Sequence, residues 1–285
     1  MTVAPAVVGV VGGGRMGAGI ARSFAAAGSS VTVVESGAEA AAAALDRIAG
    51  GLRRAEERGR SAEPAERVLG RVTAAASMDA LPPGTDLVVE AVPEDPALKV
   101  RVLAAAERAV GGGAVLATNT SSLPVTELGS ALTRPERFLG MHFFNPVPAS
   151  ALVELVVTGR TARETVDTAL GWVRALGKRE VVVGDSPGFA SSRLGVALGL
   201  EAIRMVEEGV AEPEAIDTAM TLGYRHPMGP LRLTDLVGLD VRLAIAEHLH
   251  TALGERFAPP RLLREKVARG ELGRKTGRGF YVWRD

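Results

Sequence analysis

The segment from Val7 to Glu35 constrains this chain more than any other. Val7-Val-Gly-Val-Val11 is a β-branched run that ends in Gly12-Gly-Gly-Arg-Met-Gly17. Apolar residues then recur at helical spacing (Ile20, Ala21, Phe24, Ala25), and the pattern stops at Gly28. A second run, Val31-Thr-Val-Val34, is closed by an acid, Glu35. Strand, G-x-G-x-x-G turn, helix, strand and acid within about thirty residues is the order of a parallel βαβ unit. Parallel neighbours need helical crossovers, and crossovers cover both faces of the sheet. The expected fold is therefore α/β: a Rossmann-type doubly wound, mostly parallel sheet.

The residues of the turn carry a chemical expectation as well. Gly12, Gly14 and Gly17 allow a tight turn, a close phosphate approach and close helix–strand packing, with Arg15 and Met16 between them. The helix that begins there offers free N–H groups and the positive end of its dipole to a pyrophosphate. Glu35 is placed to accept a hydrogen bond from a ribose, and its charge repels a 2′-phosphate, which favours NAD over NADP.

Residues 38–75 carry alanine, arginine and glutamate on helical spacing and predict one long helical excursion. Its Arg53, Arg54 and Arg58 read as a solvated face, with contact to an anionic substrate tail as the alternative. Thr85–Val92 reads as a buried strand, followed by the turn Pro93-Glu-Asp-Pro96 and a helix over 98–110. The next strand, Ala114–Ala117, runs into Thr118-Asn-Thr-Ser-Ser122. Ligands of open α/β sheets sit at the carboxyl ends of the strands, which places Glu94, Asn119 and Ser121 well. Ser121 and Ser122 also suit a cap for the helix over 124–131, and both uses are compatible.

Leu152-Val-Glu-Leu-Val-Val157 is an apolar run interrupted by one carboxylate, Glu154. Burying that group is expensive unless something pairs with it. His142 lies in another apolar run, Phe138–Phe144. If the chain turns back around Pro148, His142 and Glu154 are each six residues from the turn and face each other. An imidazole opposite a carboxylate has a fixed tautomer and a stabilised charged form, the requirements of a general base. A structural pair inside a core is the other reading of the same residues.

Beyond a helix over 162–176 and a short strand over 180–183, the pattern changes at Gly184-Asp-Ser-Pro-Gly188. From Phe189 onward it is helix and loop, with a last strand expected over 279–283. The helix from Ser191 to Glu208 is apolar on nearly all sides, so it needs two partners and is long enough to serve a dimer interface. The boundary falls near 184, giving a nucleotide-binding domain over 1–184 and a smaller all-α domain over 185–285. The balance of 33 basic and 33 acidic residues argues against a nucleic-acid or membrane-surface partner. With no cysteine and four dispersed histidines, neither a thiolate nucleophile nor a metal centre is expected. No run approaches an uncharged membrane-spanning length, and the start lacks the basic region of a signal peptide, so a cytoplasmic location is expected.

These pieces together resemble the L-3-hydroxyacyl-CoA dehydrogenase family, in particular its short, single-function 3-hydroxybutyryl-CoA branch. The resemblance rests on Gly12–Ile20, Asp86-Leu-Val-Val-Glu-Ala91, Thr118–Leu123 and His142-Phe-Phe-Asn-Pro-Val-Pro148. It continues through Asp185-Ser-Pro-Gly-Phe189, His226-Pro-Met-Gly-Pro230, Asp235–Asp240 and Lys275–Tyr281. It implies NAD as cofactor, an acyl-CoA thioester as substrate and a homodimer formed through the helical domain. By the same resemblance His142 is the catalytic base, Glu154 its paired acid and Ser121 a contact to the substrate oxygen near the nicotinamide. Glu94, Lys99, Asn119 and Asn145 become cofactor contacts, and Arg58 a basic residue near coenzyme A. Where the family's Pro-Gly-Phe motif continues to an asparagine before arginine, this chain has Ser192, which takes that catalytic position with a single hydroxyl. Two other readings remain: a dehydrogenase of a free hydroxy or sugar acid on the same fold, and a nucleotide-binding protein without catalysis.

Overall fold

Nearly continuous valine and leucine runs form the centre of an eight-stranded sheet with the order β3-β2-β1-β4-β5-β6-β7-β8. The structure, a computed structural model, describes residues 3–284. The first half of the sheet alternates strand and helix: β1 (Val7–Val11), α1 (Arg15–Ala26), β2 (Ser30–Val34), α2 (Ala38–Glu57), α3 (Ala65–Leu69) and β3 (Val72–Ala75). Then come β4 (Leu87–Glu90), α4 (Pro96–Ala109), β5 (Val115–Thr118) and α5 (Val125–Gly129). β6 (Phe138–Phe143), β7 (Leu152–Val157), α6 (Arg163–Ala175) and β8 (Arg179–Gly184) complete this part. Every neighbouring pair is parallel except β6 and β7, which are antiparallel with His142 directly opposite Glu154. That is the register expected from their equal distance to Pro148.

β4, β5 and β6 are buried along their whole length, as strands covered on both faces must be. Phe24 and Ile20 of α1 and Ile48 of α2 are fully buried in the same core as Val8, Val10, Val31 and Val33. Each such side chain contributes about 1.5–3 kcal/mol by leaving water. One expectation fails here. The helix read over 38–75 is instead α2, α3 and the edge strand β3. Only Val72 of β3 is buried, so Val-Thr-Ala-Ala carries no apolar run, and its alanines read as helix formers.

The chain divides into two compact units, the first ending at Asp185 and the second beginning at Ser186. The second is helical: α7 (Ser191–Glu207), α8 (Pro213–Thr218), α9 (Pro230–Val237), α10 (Leu239–Leu253) and α11 (Arg261–Ala268). Its core gathers Val196, Leu200, Ile203, Leu231, Leu249 and Leu263, each fully buried. The strand expected over 279–283 is absent; the tail makes only isolated bridges, Gly273 to Arg278 and Arg278 to Val282. Side chains hold it instead. Buried Asp235 accepts hydrogen bonds from the Phe280 and Tyr281 amides and from Trp283 Nε1, at 2.8–3.0 Å. Asp217 accepts from the Leu231 and Arg232 amides and from the Tyr281 hydroxyl. Among the described residues no helix is long and apolar enough to cross a membrane.

Candidate active site

Strand order reverses between β1 and β4, and such a reversal opens a crevice at the carboxyl ends of the strands. A cavity of about 330 Å³ lies there. It brings together seven of the expected residues: Met16, Glu94, Lys99, Asn119, Ser121, His142 and Asn145. Each follows from chain order. Met16 opens α1, Glu94 and Lys99 flank the start of α4, Asn119 and Ser121 follow β5, and His142 and Asn145 lie on and just beyond β6.

His142 is 7% exposed and Glu154 1% exposed, with Nδ1 of the ring 2.8 Å from Oε2 of the carboxylate. An ionised carboxylate only accepts, so the ring carries its proton on Nδ1. In the neutral ring this makes Nε2 the proton-accepting atom. The Phe144 ring packs against the imidazole at 4.4 Å between centroids, tilted by 50°.

A second buried carboxylate organises the residues at the start of α4 and the end of β5. Glu90 and Lys99 are 0% and 1% exposed, and Lys99 Nζ lies 2.7 Å from Glu90 Oε1. Thr118 Oγ1 and the Val92 amide also donate to Glu90, both at 2.7 Å. Lys99 further reaches the Val92 carbonyl and Glu94 Oε2, each at 3.2 Å, so its three donors are engaged within the protein. Glu94 Oε1 in turn accepts from the Thr120 hydroxyl at 2.6 Å, the Ser121 amide at 3.0 Å and the Ser122 hydroxyl at 3.1 Å. This carboxylate thereby fixes the loop that presents Ser121. Burial alone would raise the Glu94 pKa, but the Thr120 hydroxyl, the Lys99 charge and the Ser121 amide together hold it below the usual carboxylate range. Asn119 Oδ1 accepts from the Phe143 amide at 2.9 Å, tying the end of β5 to β6 and leaving the NH₂ as the group it can offer a ligand.

The glycine turn fits a pyrophosphate. Gly12 has φ +94°, and a Cβ there would stand 2.8 Å from the Ala91 carbonyl oxygen. A Cβ at Gly17 would fall 1.7 Å from the Gly12 oxygen, whereas one at Gly14 would meet nothing within 4 Å, so that side is open to a ligand. The first turn of α1 has neither a side-chain cap nor an acidic residue, which leaves its N–H groups for an anion. Glu35 stands just past β2, where its Oε1 accepts from the Gly13 amide at 2.6 Å and braces the turn. Arg15 is exposed.

Two expected residues lie elsewhere. Ser192 opens α7 in the second unit, and Arg58, at the end of α2, lines a second cavity of about 500 Å³. Glu90, Thr118 and Thr120 were not singled out from the sequence. Glu90 carried a readable signal, a lone carboxylate closing the apolar strand Leu87-Val-Val-Glu90, the same signal that marked Glu154. The threonines carried none, since their roles depend on partners in other strands.

Comparison with known proteins decides the family. A model of the 3-hydroxyacyl-CoA dehydrogenase NAD binding domain matches residues 7–186, and a model of that family's C-terminal domain matches 188–283. The chain belongs to the 3-hydroxyacyl-CoA dehydrogenase family. A 3-hydroxybutyryl-CoA dehydrogenase of Mycobacterium tuberculosis is 45% identical over 282 residues, covering 97% of this chain and 98% of the relative. A probable 3-hydroxybutyryl-CoA dehydrogenase of Bacillus subtilis is 42% identical over 278 residues, covering 97% and 96%. Among solved structures, the (S)-3-hydroxybutyryl-CoA dehydrogenase of Ralstonia eutropha superposes with a TM-score of 0.92 at 40% identity, over 99% of this chain and all of the other. As a member of the 3-hydroxyacyl-CoA dehydrogenase family this chain is an NAD-dependent oxidoreductase, and its two units correspond to the family's NAD-binding and helical domains.

Proposed function

We propose that this enzyme interconverts a (3S)-3-hydroxyacyl-CoA, of about four acyl carbons like the substrates named for its relatives, and the corresponding 3-ketoacyl-CoA. The observation that carries the reading is the buried His142–Glu154 pair, 2.8 Å apart, with His142 on the wall of the cavity at the strand ends. NAD, when bound, supplies the hydride acceptor. His142 Nε2 takes the proton of the C3 hydroxyl as the carbon–hydrogen bond gives up its electron pair, and it returns that proton in the reverse direction. Glu154 keeps the ring in the required tautomer and stabilises the imidazolium that forms. Ser121, on the loop fixed by Glu94, donates a hydrogen bond to the oxygen that becomes the ketone. Ser192 supplies a further hydroxyl to the substrate from the helical domain.

On this reading Gly12, Gly14, Arg15, Met16, Gly17 and Glu35 hold the adenosine and pyrophosphate of the cofactor. Glu94, Lys99, Asn119 and Asn145 shape its nicotinamide end, and Arg58 meets coenzyme A. Residues 1–184 bind NAD, and residues 185–285 carry substrate contacts and a homodimer interface. Exposed Leu194, Leu233, Leu236, Val237 and Val241 on α7, α9 and α10 support that interface.

Loss of NADH absorbance on addition of acetoacetyl-CoA, beside free acetoacetate and a keto sugar acid, tests the substrate class. Consumption with the thioester alone is expected. Equal or faster consumption with a free acid would sink the thioester reading.

A further inference from the structure

The cavity at the strand ends has three ionisable side chains on its lining: Glu94, Lys99 and His142. Two further carboxylates contact them. Glu90 lies 2.7 Å from Lys99 Nζ, and Glu154 lies 2.8 Å from His142 Nδ1. Lys99 is shared between two acids, with its ammonium 2.7 Å from Glu90 and 3.2 Å from Glu94. Among the described residues no second cation stands within ion-pair distance of either acid. Two carboxylates against one ammonium leave this group one negative charge in excess.

That excess is held in place. Buried Glu90 accepts from Lys99, from the Thr118 hydroxyl and from the Val92 amide, so it is spent on fixing the ammonium. Glu94 is the acid that reaches the cavity lining. Its Oε1 accepts from the Thr120 hydroxyl, the Ser121 amide and the Ser122 hydroxyl, while its Oε2 faces Lys99. Burial works against its charge, but the Thr120 hydroxyl, the Lys99 charge and the Ser121 amide outweigh burial and lower its pKa. Glu94 is therefore a fixed anion on the wall near neutrality, and Lys99 is already engaged by Glu90.

A fixed wall charge bears on the one charge that differs between the two forms of the cofactor. The nicotinamide ring is formally positive when oxidised and neutral when reduced, and every other charge of the cofactor is the same in both. The reaction moves that charge. The electron pair of the C3–H bond leaves with the hydrogen for the ring, which becomes neutral, and the hydroxyl proton goes to His142 Nε2, which becomes an imidazolium as the alcohol becomes a ketone. In the absence of substrate only the ring differs, so the wall charge acts on NAD and not on NADH.

We infer that Glu94, with Glu90 as the positioning residue that holds Lys99 beside it, sets how the enzyme discriminates between the redox states of its cofactor. The one uncompensated carboxylate binds the oxidised ring more tightly, relative to the reduced ring, than a neutral wall would, and so lowers the reduction potential of the bound nicotinamide. The inference rests on the placement of the nicotinamide end beside Glu94, Lys99 and Asn119 proposed above, and it is independent of the substrate.

The test is equilibrium titration with NAD and with NADH, without substrate, of the wild type, Glu94→Gln and Glu94→Asp. The quantity read is the ratio of the two dissociation constants, Kd for NAD over Kd for NADH. Glu94→Gln keeps an acceptor for the Thr120 hydroxyl and removes the charge. It should raise the ratio about tenfold, the effect of one unit charge several ångströms away at an effective dielectric constant of ~20 or more, with most of the change in NAD. Glu94→Asp keeps the charge on a shorter arm, so it should weaken both cofactors alike and leave the ratio near that of the wild type. Glu90→Leu combined with Lys99→Met removes one charge of each sign and should also leave the ratio in place. An unchanged ratio in Glu94→Gln would reduce Glu94 to a brace of the Ser121 loop and overturn the inference. An equal rise in Glu94→Asp or in the double variant would overturn it too, since contacts rather than net charge would then set the ratio. A wild type that binds neither cofactor would overturn the inference together with the cofactor placement. Failure of the thioester reading is seen separately, in the acetoacetyl-CoA assay, because no titration here contains substrate.

Discussion

Of the residues lining the cavity at the strand ends, Lys99 meets Glu90 at 2.7 Å and His142 meets Glu154 at 2.8 Å. In the second cavity Arg22, Arg54 and Arg58 line the wall, and the one acid of that lining, Glu63, is held by Arg71 and Arg67. Both belong to the same sheet domain. The first is a finished electrostatic structure before any ligand arrives, as a site must be if its dipoles are to act on a developing charge without rearranging. The second leaves its cations without ion-pair partners among the described residues.

Removing one partner from the finished site should cost the most. Lys99→Met strands Glu90 as a buried, unpaired carboxylate, with an expected loss of about 3–5 kcal/mol in urea unfolding. Adding Glu90→Leu should restore much of it; a double variant no better than the single would show that the pair is not the source. Glu154→Gln keeps a hydrogen-bonding group but gives up the charge that stabilises the imidazolium. Turnover should fall roughly ten- to a hundredfold while NADH affinity holds, and a turnover matching the wild type would count against the pair. Lys178→Met leaves the Val147 and Ser150 carbonyls without their donor, for a loss of about 1–3 kcal/mol in thermal unfolding. A gain in stability would mean that burying the ammonium costs more than its two hydrogen bonds return.

The smallest effect is in pH. The folded pKa of Glu94 is depressed, so its contribution to stability is complete above the ordinary carboxylate value of about 4.3 and is lost as pH falls through the lower folded value. The stability gap between wild type and Glu94→Gln should therefore be present near neutrality and close in acid. A gap that persists unchanged at about pH 2 would contradict the loop-pinning role.

Much of this was legible in the sequence where partners are set by local order. The equal spacing of His142 and Glu154 about Pro148 gave their cross-strand register, and the glycine turn with Glu35 marked the first βαβ unit. β3 was hidden because an edge strand buries one side chain, Val72, and its alanines fit a helix as well. The end of the chain was misread for another reason: Phe280, Tyr281 and Trp283 are held by Asp235, about forty-five positions earlier, and not by a strand partner. Arg22 could not be found by reading α1 alone. Its surroundings depend on Gly51 of α2, which makes room for it, and on Glu63 of the cavity wall being held by Arg71 and Arg67 instead.

The central claim is that His142 carries the proton of the reaction. It is tested most directly by following NADH oxidation in a single turnover with acetoacetyl-CoA in the wild type and in His142→Ala, with NADH affinity measured on both. The account predicts a rate lower by ~100- to 10,000-fold in the variant with NADH bound as tightly as before. A rate within a few-fold of the wild type would contradict it, and the pair with Glu154 would then be a structural element of the sheet.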